Sequence, residues 1–192
     1  MSSCSLYSVQ AILILDNQGN RVYAEYYSPP SEGNTDEASS SLLNSTTKQL
    51  EFEKKLFKKT FKRNSDIMLF ENHLVLFKEY IDVTIYLIGD SSENELVLQS
   101  ALDALGDSLE IVLSNGIDKK SVEENFDLVL LDIDEVVDNG IILETDAATI
   151  ASRITKRPAN ENAIAIDLDK GLLSAWGFAK SKLQEKLQQG LQ

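Results

Sequence analysis

The sequence SVEENFDLVLLDIDEVVDNGIILETDAATIASRI, residues 121–154, decides the prediction of the fold. In its first half, apolar residues recur every three or four positions, which places them on one face of an α-helix. They are Val122, Phe126, Val129, Ile133 and Val137. Ser121 followed by Glu124 has the form of a capping box, and Asn139-Gly140 supplies residue types that end a helix in the left-handed conformation. The pattern therefore predicts one amphipathic helix.

The second half of the stretch predicts a short apolar link and a smaller helix. Residues 141–143, Ile-Ile-Leu, form the link, and Thr145 or Asp146 is a suitable N-cap. The second helix is expected to end before Pro158, because the residue that precedes a proline disfavours the helical conformation.

Residues that carry catalysis or bind metals are scarce. The chain has one cysteine, Cys4, and one histidine, His73, which we place in a tight turn without a nearby nucleophile. Asp132, Asp134 and Asp138 point in different directions at helical spacing, so we interpret them as a solvated surface and not as a metal site. The sequence also lacks a glycine-rich phosphate loop and a GxSxG motif. It therefore predicts no enzyme, no cofactor and no metal.

Composition is typical of one soluble globular domain with a tail. The 192 residues are 43% hydrophobic and 26% charged, and no apolar run approaches the roughly 20 residues that span a bilayer. Neither end carries a recognisable targeting or lipidation signal, so a cytoplasmic location is expected. A net charge of −13 disfavours nucleic acid and acidic lipid over most of the surface.

The residues before this stretch predict a five-stranded antiparallel sheet. Residues 6–15 and 21–27 form a β-hairpin, and residues 66–89 hold three strands that follow one another too closely for helical crossovers. The first strand is apolar on both faces, so we expect it at the centre with helices on both sides of the sheet. This order of elements is an α+β fold.

A helix predicted at residues 46–63 carries the most basic part of the chain. Leu50, Phe57 and Phe61 share the side expected to be buried. Seven of the eighteen basic residues lie on it: Lys48, Lys54, Lys55, Lys58, Lys59, Lys62 and Arg63. They are either a solvated face or a contact for an acidic partner or phosphoinositide headgroups, because each cation near a charged membrane contributes roughly 1 kcal/mol.

A further helix is predicted at residues 92–113, capped by Ser92 with Glu95. Gly106 lowers its helix propensity, which is tolerable where another element packs closely. Its apolar stripe consists of Leu98, Leu102, Leu105, Leu109 and Val112.

Two segments fall outside this domain core. Residues 28–44 are rich in Ser, Pro, Gly and acidic residues and predict a mobile loop, either a plain insertion or a site of regulatory phosphorylation. Residues 155–192 predict a linker and a partly ordered tail with a marginal amphipathic helix. Trp176 and Phe178 in this tail pack either on the domain itself or on a partner, since large exposed aromatics are characteristic of contact sites.

Several blocks in this order resemble a known family. FDLVLLDIDEVVDNG and ILETD are similar to the small and medium chains of clathrin-type and coatomer coats. From SLYSVQAILILDNQGNRVYAEYY to LDKGLLSAWGFAKSK, the chain most closely resembles the zeta-type chains of coatomer. The resemblance implies a longin-like small-chain domain over residues 1–154.

The resemblance also implies a function. Chains of this type are non-catalytic subunits of the coat on vesicles that move within the Golgi and back to the endoplasmic reticulum, peripheral on Golgi membranes. They bind the trunk of a large helical-solenoid subunit of the gamma type, and an Arf-type GTPase recruits the assembly. Tryptophan motifs in flexible segments serve this coat system, which makes Trp176 and Phe178 candidates for binding another factor. Related adaptors hold a pocket for dileucine signals, but no residues here match it.

Other functions stay open. Within the same fold, the chain is either a small chain of a clathrin-type adaptor or a longin module of a tethering or nucleotide-exchange complex. An enzyme built from scattered residues is disfavoured by the scarcity of histidine and cysteine. A peripheral lipid-binding protein would use the basic helix as its active surface.

Overall fold

The computed structural model describes residues 6–28, 45–61 and 66–155. The chain divides into two units, Met1–Ile154 and Thr155–Gln192. Every element described below lies in the first unit, apart from Thr155, the last residue of the final helix. The strands of the main sheet are β1 Val9–Asp16, β2 Arg21–Tyr26, β3 Ile67–Phe70, β4 His73–Glu79 and β5 Val83–Asp90. The other elements are α1 Thr46–Thr60, α2 Glu95–Val112, α3 Lys119–Glu124, α4 Phe126–Val136, β6 Val137–Asp138, β7 Ile141–Ile142 and α5 Ala147–Thr155.

The five strands form one antiparallel sheet in the order β2-β1-β5-β4-β3. Successive side chains of β1 point to opposite faces, and both faces are covered. Ile12 and Ile14 join a cluster with α2 to α5, whereas Leu13 and Leu15 join a cluster with α1. The predicted α+β fold, with a five-stranded antiparallel sheet and helices on both faces, is confirmed.

The predicted single helix after residue 120 is wrong in its start, its continuity and its end. Asp118, not Ser121, caps α3, since its carboxylate accepts a hydrogen bond of 2.6 Å from the Ser121 amide. The chain leaves the helical conformation at Asn125, and α4 begins one residue later. Asn139 and Gly140 have φ of 50° and 84°, which is the conformation of a tight hairpin turn, and they join β6 to β7.

This small hairpin docks onto the start of β1. The Val9 amide donates a 3.0 Å hydrogen bond to the Gly140 carbonyl oxygen. A Cβ at residue 140 would lie 2.5 Å from the Val9 carbonyl oxygen, so only glycine allows this approach. The 121–154 stretch is thus attached to the central strand of the sheet.

Two smaller predictions are corrected, and one of two alternatives is confirmed. Asn94, not Ser92, caps α2 by accepting a 2.9 Å bond from the Leu96 amide. His73 begins β4, because the turn before it is formed by Glu71 and Asn72, both with positive φ. Asp146 caps α5 through the Thr149 amide at 2.9 Å.

The apolar stripe of α2 lies where the spacing predicts it. Leu98, Leu102, Leu105 and Leu109 are buried, and Val112 packs partly against the same cluster. A Cβ at Gly106 would lie 2.1 Å from the Tyr80 hydroxyl oxygen. Another part of the chain therefore does pack closely at this glycine, which is the condition under which its low helix propensity is tolerable.

Asp132 is buried, which contradicts its assignment to a solvated surface, while Asp134 and Asp138 are exposed as expected. Asp132 lies between α4 and α2, where the Ser108 hydroxyl donates a 2.7 Å hydrogen bond to its Oδ2. Its Oδ1 has no partner among the described residues. Burial raises the pKa of this carboxyl to about 7, against the Ser108 bond, which lowers it, and Glu135 adds to the rise.

Replacing Asp132 with Asn is predicted to stabilise the protein above neutral pH. The folded pKa of about 7 exceeds the ordinary value of 3.8, so the folded protein keeps a proton that the unfolded chain releases. The free energy of unfolding of the wild type therefore falls as pH rises from about 4 to about 7. Asn stays neutral, and after the cost of its unpartnered amide hydrogens we expect a gain of about 2 kcal/mol at pH 8.

Urea unfolding followed by circular dichroism between about pH 5 and 8 checks this prediction. Asp127→Asn, on the exposed side of the same helix, is the matched control and should differ from the wild type by a constant amount. Parallel curves for Asp132→Asn and the wild type over this range would contradict the prediction.

Candidate interaction surface

Some of the predicted contact residues lie in the described part of the chain, and all of these are on helix α1. Lys54, Lys55, Lys58 and Lys59 are all exposed on it. Lys62 and Arg63 follow the helix outside the described residues, and so do Trp176 and Phe178 in the tail segment and most of the 28–44 loop. The roles predicted for these residues stay predictions.

The buried face of α1 differs from the predicted one. The structure buries Phe52 and Leu56, with Phe52 at 5.3 Å from the ring of Phe70 on β3. Leu50 is 40% exposed and Phe61 is 49% exposed, whereas the sequence pattern placed both inside. Phe57 is half-buried and rests on Gly19, where a Cβ would lie 2.5 Å from the Phe57 ring.

Polar residues explain why α1 buries this face and not the predicted one. Glu53 is buried, and its carboxylate accepts hydrogen bonds from Arg21 Nε at 3.0 Å, from Arg21 Nη2 and from the Tyr26 hydroxyl at 2.8 Å. The hydrogen bonds that Arg21 donates to Glu53 raise the pKa of Arg21, and burial followed by the Glu53 charge raises the pKa of Tyr26. A buried charge loses its hydration, and hydrogen bonds and an ion pair of this kind offset that loss. Thr60 on the same face contacts the Tyr86 hydroxyl at 2.8 Å.

Sequence reasoning missed the anchor formed by Glu53, Arg21 and Tyr26. Phe52 and Leu56 are four positions apart, so they do lie on one face of a helix. That face shows fewer apolar residues in the sequence than the face that holds Leu50, Phe57 and Phe61. The polar partners of Glu53 lie on β2, about 30 positions earlier in the chain, and no local pattern indicates that pairing.

With Phe52, Glu53 and Leu56 turned inward, the lysines of α1 face outward. Lys55 pairs with Glu51 at 3.1 Å and with Glu71 at 3.6 Å, and Lys59 lies 5.6 Å above the Phe70 ring. Within the described ranges, the remaining lysines of the helix have no carboxylate partner. They are Lys48, Lys54 and Lys58.

The exposed side of α1 combines positive charge with apolar surface. At helical spacing Leu50, Lys54, Phe57, Lys58 and Phe61 lie along one strip, which we call the basic strip. The helix holds five lysines and two glutamates, a net charge of +3, so the rest of the chain carries −16. Such a surface is complementary in charge to anionic groups.

The described residues contain neither a candidate metal site nor a membrane-spanning helix. No group of three or more His, Cys, Asp or Glu side chains among them is placed to hold a metal ion. Nor is any helix in this part of the chain both long and apolar enough to cross a membrane.

Comparison with known proteins identifies relatives over the whole chain. Residues 8–161 match the family model described as clathrin adaptor complex small chain. The chain is 60% identical over 191 residues to coatomer subunit zeta of Saccharomyces cerevisiae, which covers 100% of both chains. It is 40% identical over 153 residues to human coatomer subunit zeta-1, covering 80% of each. A probable coatomer subunit zeta-A of Dictyostelium discoideum is 37% identical over 186 residues, covering 94% of this chain and 97% of that one.

A structural comparison supports the same fold. A chain in a homology model of the full-length AP-3 complex, in a stretched open conformation, superposes with a TM-score of 0.57. The match covers 84% of this chain and 98% of that chain at 17% sequence identity. Identity this low shows a shared fold alone.

Replacing Glu53 with Ala is predicted to lower the free energy of unfolding by about 3 kcal/mol, because Arg21 and the Tyr26 hydroxyl lose their buried partner. Thermal and urea unfolding measure this loss. Lys55→Ala is the matched control on the same helix, and since its ion pairs are exposed we expect a much smaller change in stability than for Glu53→Ala. Equal stabilities of the two variants would show that the anchor does not hold α1 in place.

Proposed function

Because the chain belongs to the clathrin adaptor complex small-chain family, we propose that it is a non-catalytic structural subunit of the coatomer vesicle coat. The observation that carries this proposal is the 60% identity to a coatomer zeta subunit over the full length of both chains. The match includes the residues after the domain core, where a shared fold alone would not preserve sequence.

We propose a large helical-solenoid subunit of the gamma type as its obligate partner. Obligate interfaces typically bury more than about 2,000 Å² and are rich in apolar residues. Several large apolar side chains of the domain are exposed on elements of the sheet edge and the helical layer, as expected of a subunit that is incomplete alone. They include Leu69, Leu96, Ile111, Leu131 and Leu143.

The transport step and the location belong to the same proposal. As part of coatomer, the chain would act in Golgi-to-endoplasmic-reticulum and intra-Golgi transport. It would be cytoplasmic and peripheral on Golgi membranes and coated vesicles, to which an Arf-type GTPase would recruit the complex.

An adaptor small chain or a longin module of a tethering complex is the alternative within this fold. The similarity to a chain of the AP-3 complex supports only the shared fold, because its sequence identity is 17%. The 60% identity to a coatomer subunit favours the coat function.

Co-expression with the trunk of a gamma-type coatomer subunit tests the proposal. We expect a stoichiometric heterodimer in size-exclusion chromatography with mass determination, and poor solubility of the chain alone, since its apolar surface would then be uncovered. The trunk of a large clathrin-adaptor subunit is the matched control and should not co-elute. A stable monomer that ignores the gamma-type trunk would contradict the coat function.

We also propose that Trp176 and Phe178 bind another subunit or an accessory factor of the coat. The variant Trp176→Ala/Phe178→Ala should still co-elute with the gamma-type trunk and should be depleted from the complete coat complex in cells. Leu172→Ala is a control in the same segment that leaves both aromatics in place. Equal incorporation of all three chains into the coat, together with unchanged binding of the coat's partners, would remove this role.

A further inference from the structure

We propose that the basic strip of α1 contacts an anionic membrane surface when the subunit is held in its coat. The proposal rests on the coat function, which brings the chain to a membrane. It assigns a lipid contact to Leu50, Lys54, Phe57, Lys58 and Phe61.

The distribution of unpaired cations is the first observation. In the described part of the chain, every lysine and arginine outside α1 forms an ion pair with a carboxylate: Arg21, Lys78, Lys119, Lys120 and Arg153. The described cations without a carboxylate partner all lie on α1: Lys48, Lys54, Lys58 and Lys59. In a protein with a large excess of acidic residues, this separation leaves α1 as the positive pole of the part that the structure describes.

Charge asymmetry gives the contact a direction. The helix carries +3 in a chain of net charge −13, so among the described residues an anionic surface attracts α1 and repels the acidic remainder. Because the Debye length is about 8 Å at physiological salt, only charges at the contact act strongly. The protein would therefore contact an anionic bilayer through α1.

The shape and chemistry of the strip favour a membrane over an acidic peptide. Within the described residues, α1 alone covers its face of the sheet, so its outer side is a ridge. Linear peptides bind in grooves or add to sheet edges. The half-exposed Leu50 and Phe61 beside Lys54 and Lys58 reproduce the mixture of apolar and basic side chains that binds at a lipid interface.

The contact is weak by itself and gains strength in an assembly. Each lysine near an anionic membrane improves partitioning about fivefold, so Lys54 and Lys58 of the basic strip together give about 25-fold. Stable membrane attachment usually needs two signals. In a coat, the other contacts would supply the second signal and raise the effective concentration of α1 at the bilayer.

Vesicle flotation of the full chain, alone at low concentration and in complex with the gamma-type trunk, tests the proposal. The probes are vesicles of phosphatidylcholine alone and vesicles with about 30% phosphatidylserine, each at about 50 mM and 300 mM salt. We expect binding to the phosphatidylserine vesicles alone, with loss at the higher salt. Lys58→Glu should lower the bound fraction about tenfold, and Lys54→Glu/Lys58→Glu should abolish binding.

The matched control is Lys120→Glu, which makes the same charge change on α3, at the opposite face of the sheet. Lys120 is 81% exposed and has only a 3.7 Å pair with Glu124, so the fold should tolerate the change. Its vesicle binding should stay within about twofold of the wild type. Leu50→Ser tests the apolar part of the strip and should weaken binding without any change of charge.

Co-elution with the gamma-type trunk separates this proposal from the coat function. Wild-type chain that co-elutes but shows no preference for phosphatidylserine would overturn the membrane contact and leave the coat function standing. If Lys54→Glu/Lys58→Glu loses co-elution, the strip is a protein interface and the membrane contact is wrong. If vesicle binding depends on the strip while the wild type never co-elutes, the coat function fails and the lipid contact stands.

Discussion

The pairing of β1 with β5 is the contact on which the rest of the structure depends. Ile12 pairs with Leu87 and Ile14 with Ile85, at the centre of the sheet, and all four side chains are buried. Both strands are apolar on both faces, so neither face can be left to water. Each buried side chain of this size contributes about 1.5–3 kcal/mol, and this gain is available only when helices cover both sides.

The two covering layers are built differently. The side that faces α2 to α5 is closed by a continuous apolar cluster, with Asp132 as a buried exception. Among the described residues, the other side is closed by α1 alone, whose buried face includes Glu53 and Thr60. Glu53 and Thr60 form hydrogen bonds with polar side chains of the sheet, and these bonds offset the cost of burying them. They fix the rotation of α1, and that rotation is the reason its lysines face outward.

Local patterns predicted most of the fold but only part of the interaction surface. The hairpin, the central position of β1 and the stripe of α2 follow from hydrophobic periodicity, which reports burial along one element. The inward face of α1 and the burial of Asp132 depend on partners distant in sequence, Arg21 and Ser108, and no periodicity encodes them. Asn139-Gly140 is compatible with both a helix end and a hairpin turn, and the position of β1 decides between them.

The order of strands has a consequence for synthesis of the chain. A nascent chain emerges at about 5–20 residues per second, and β5 follows β1 only after β2, α1, β3 and β4 have been made. For several seconds β1 has its hairpin partner β2 but lacks β5 and every helix of the opposite layer. During this interval the ribosome-bound chain presents an unprotected apolar strand, on which a chaperone would act before folding is complete.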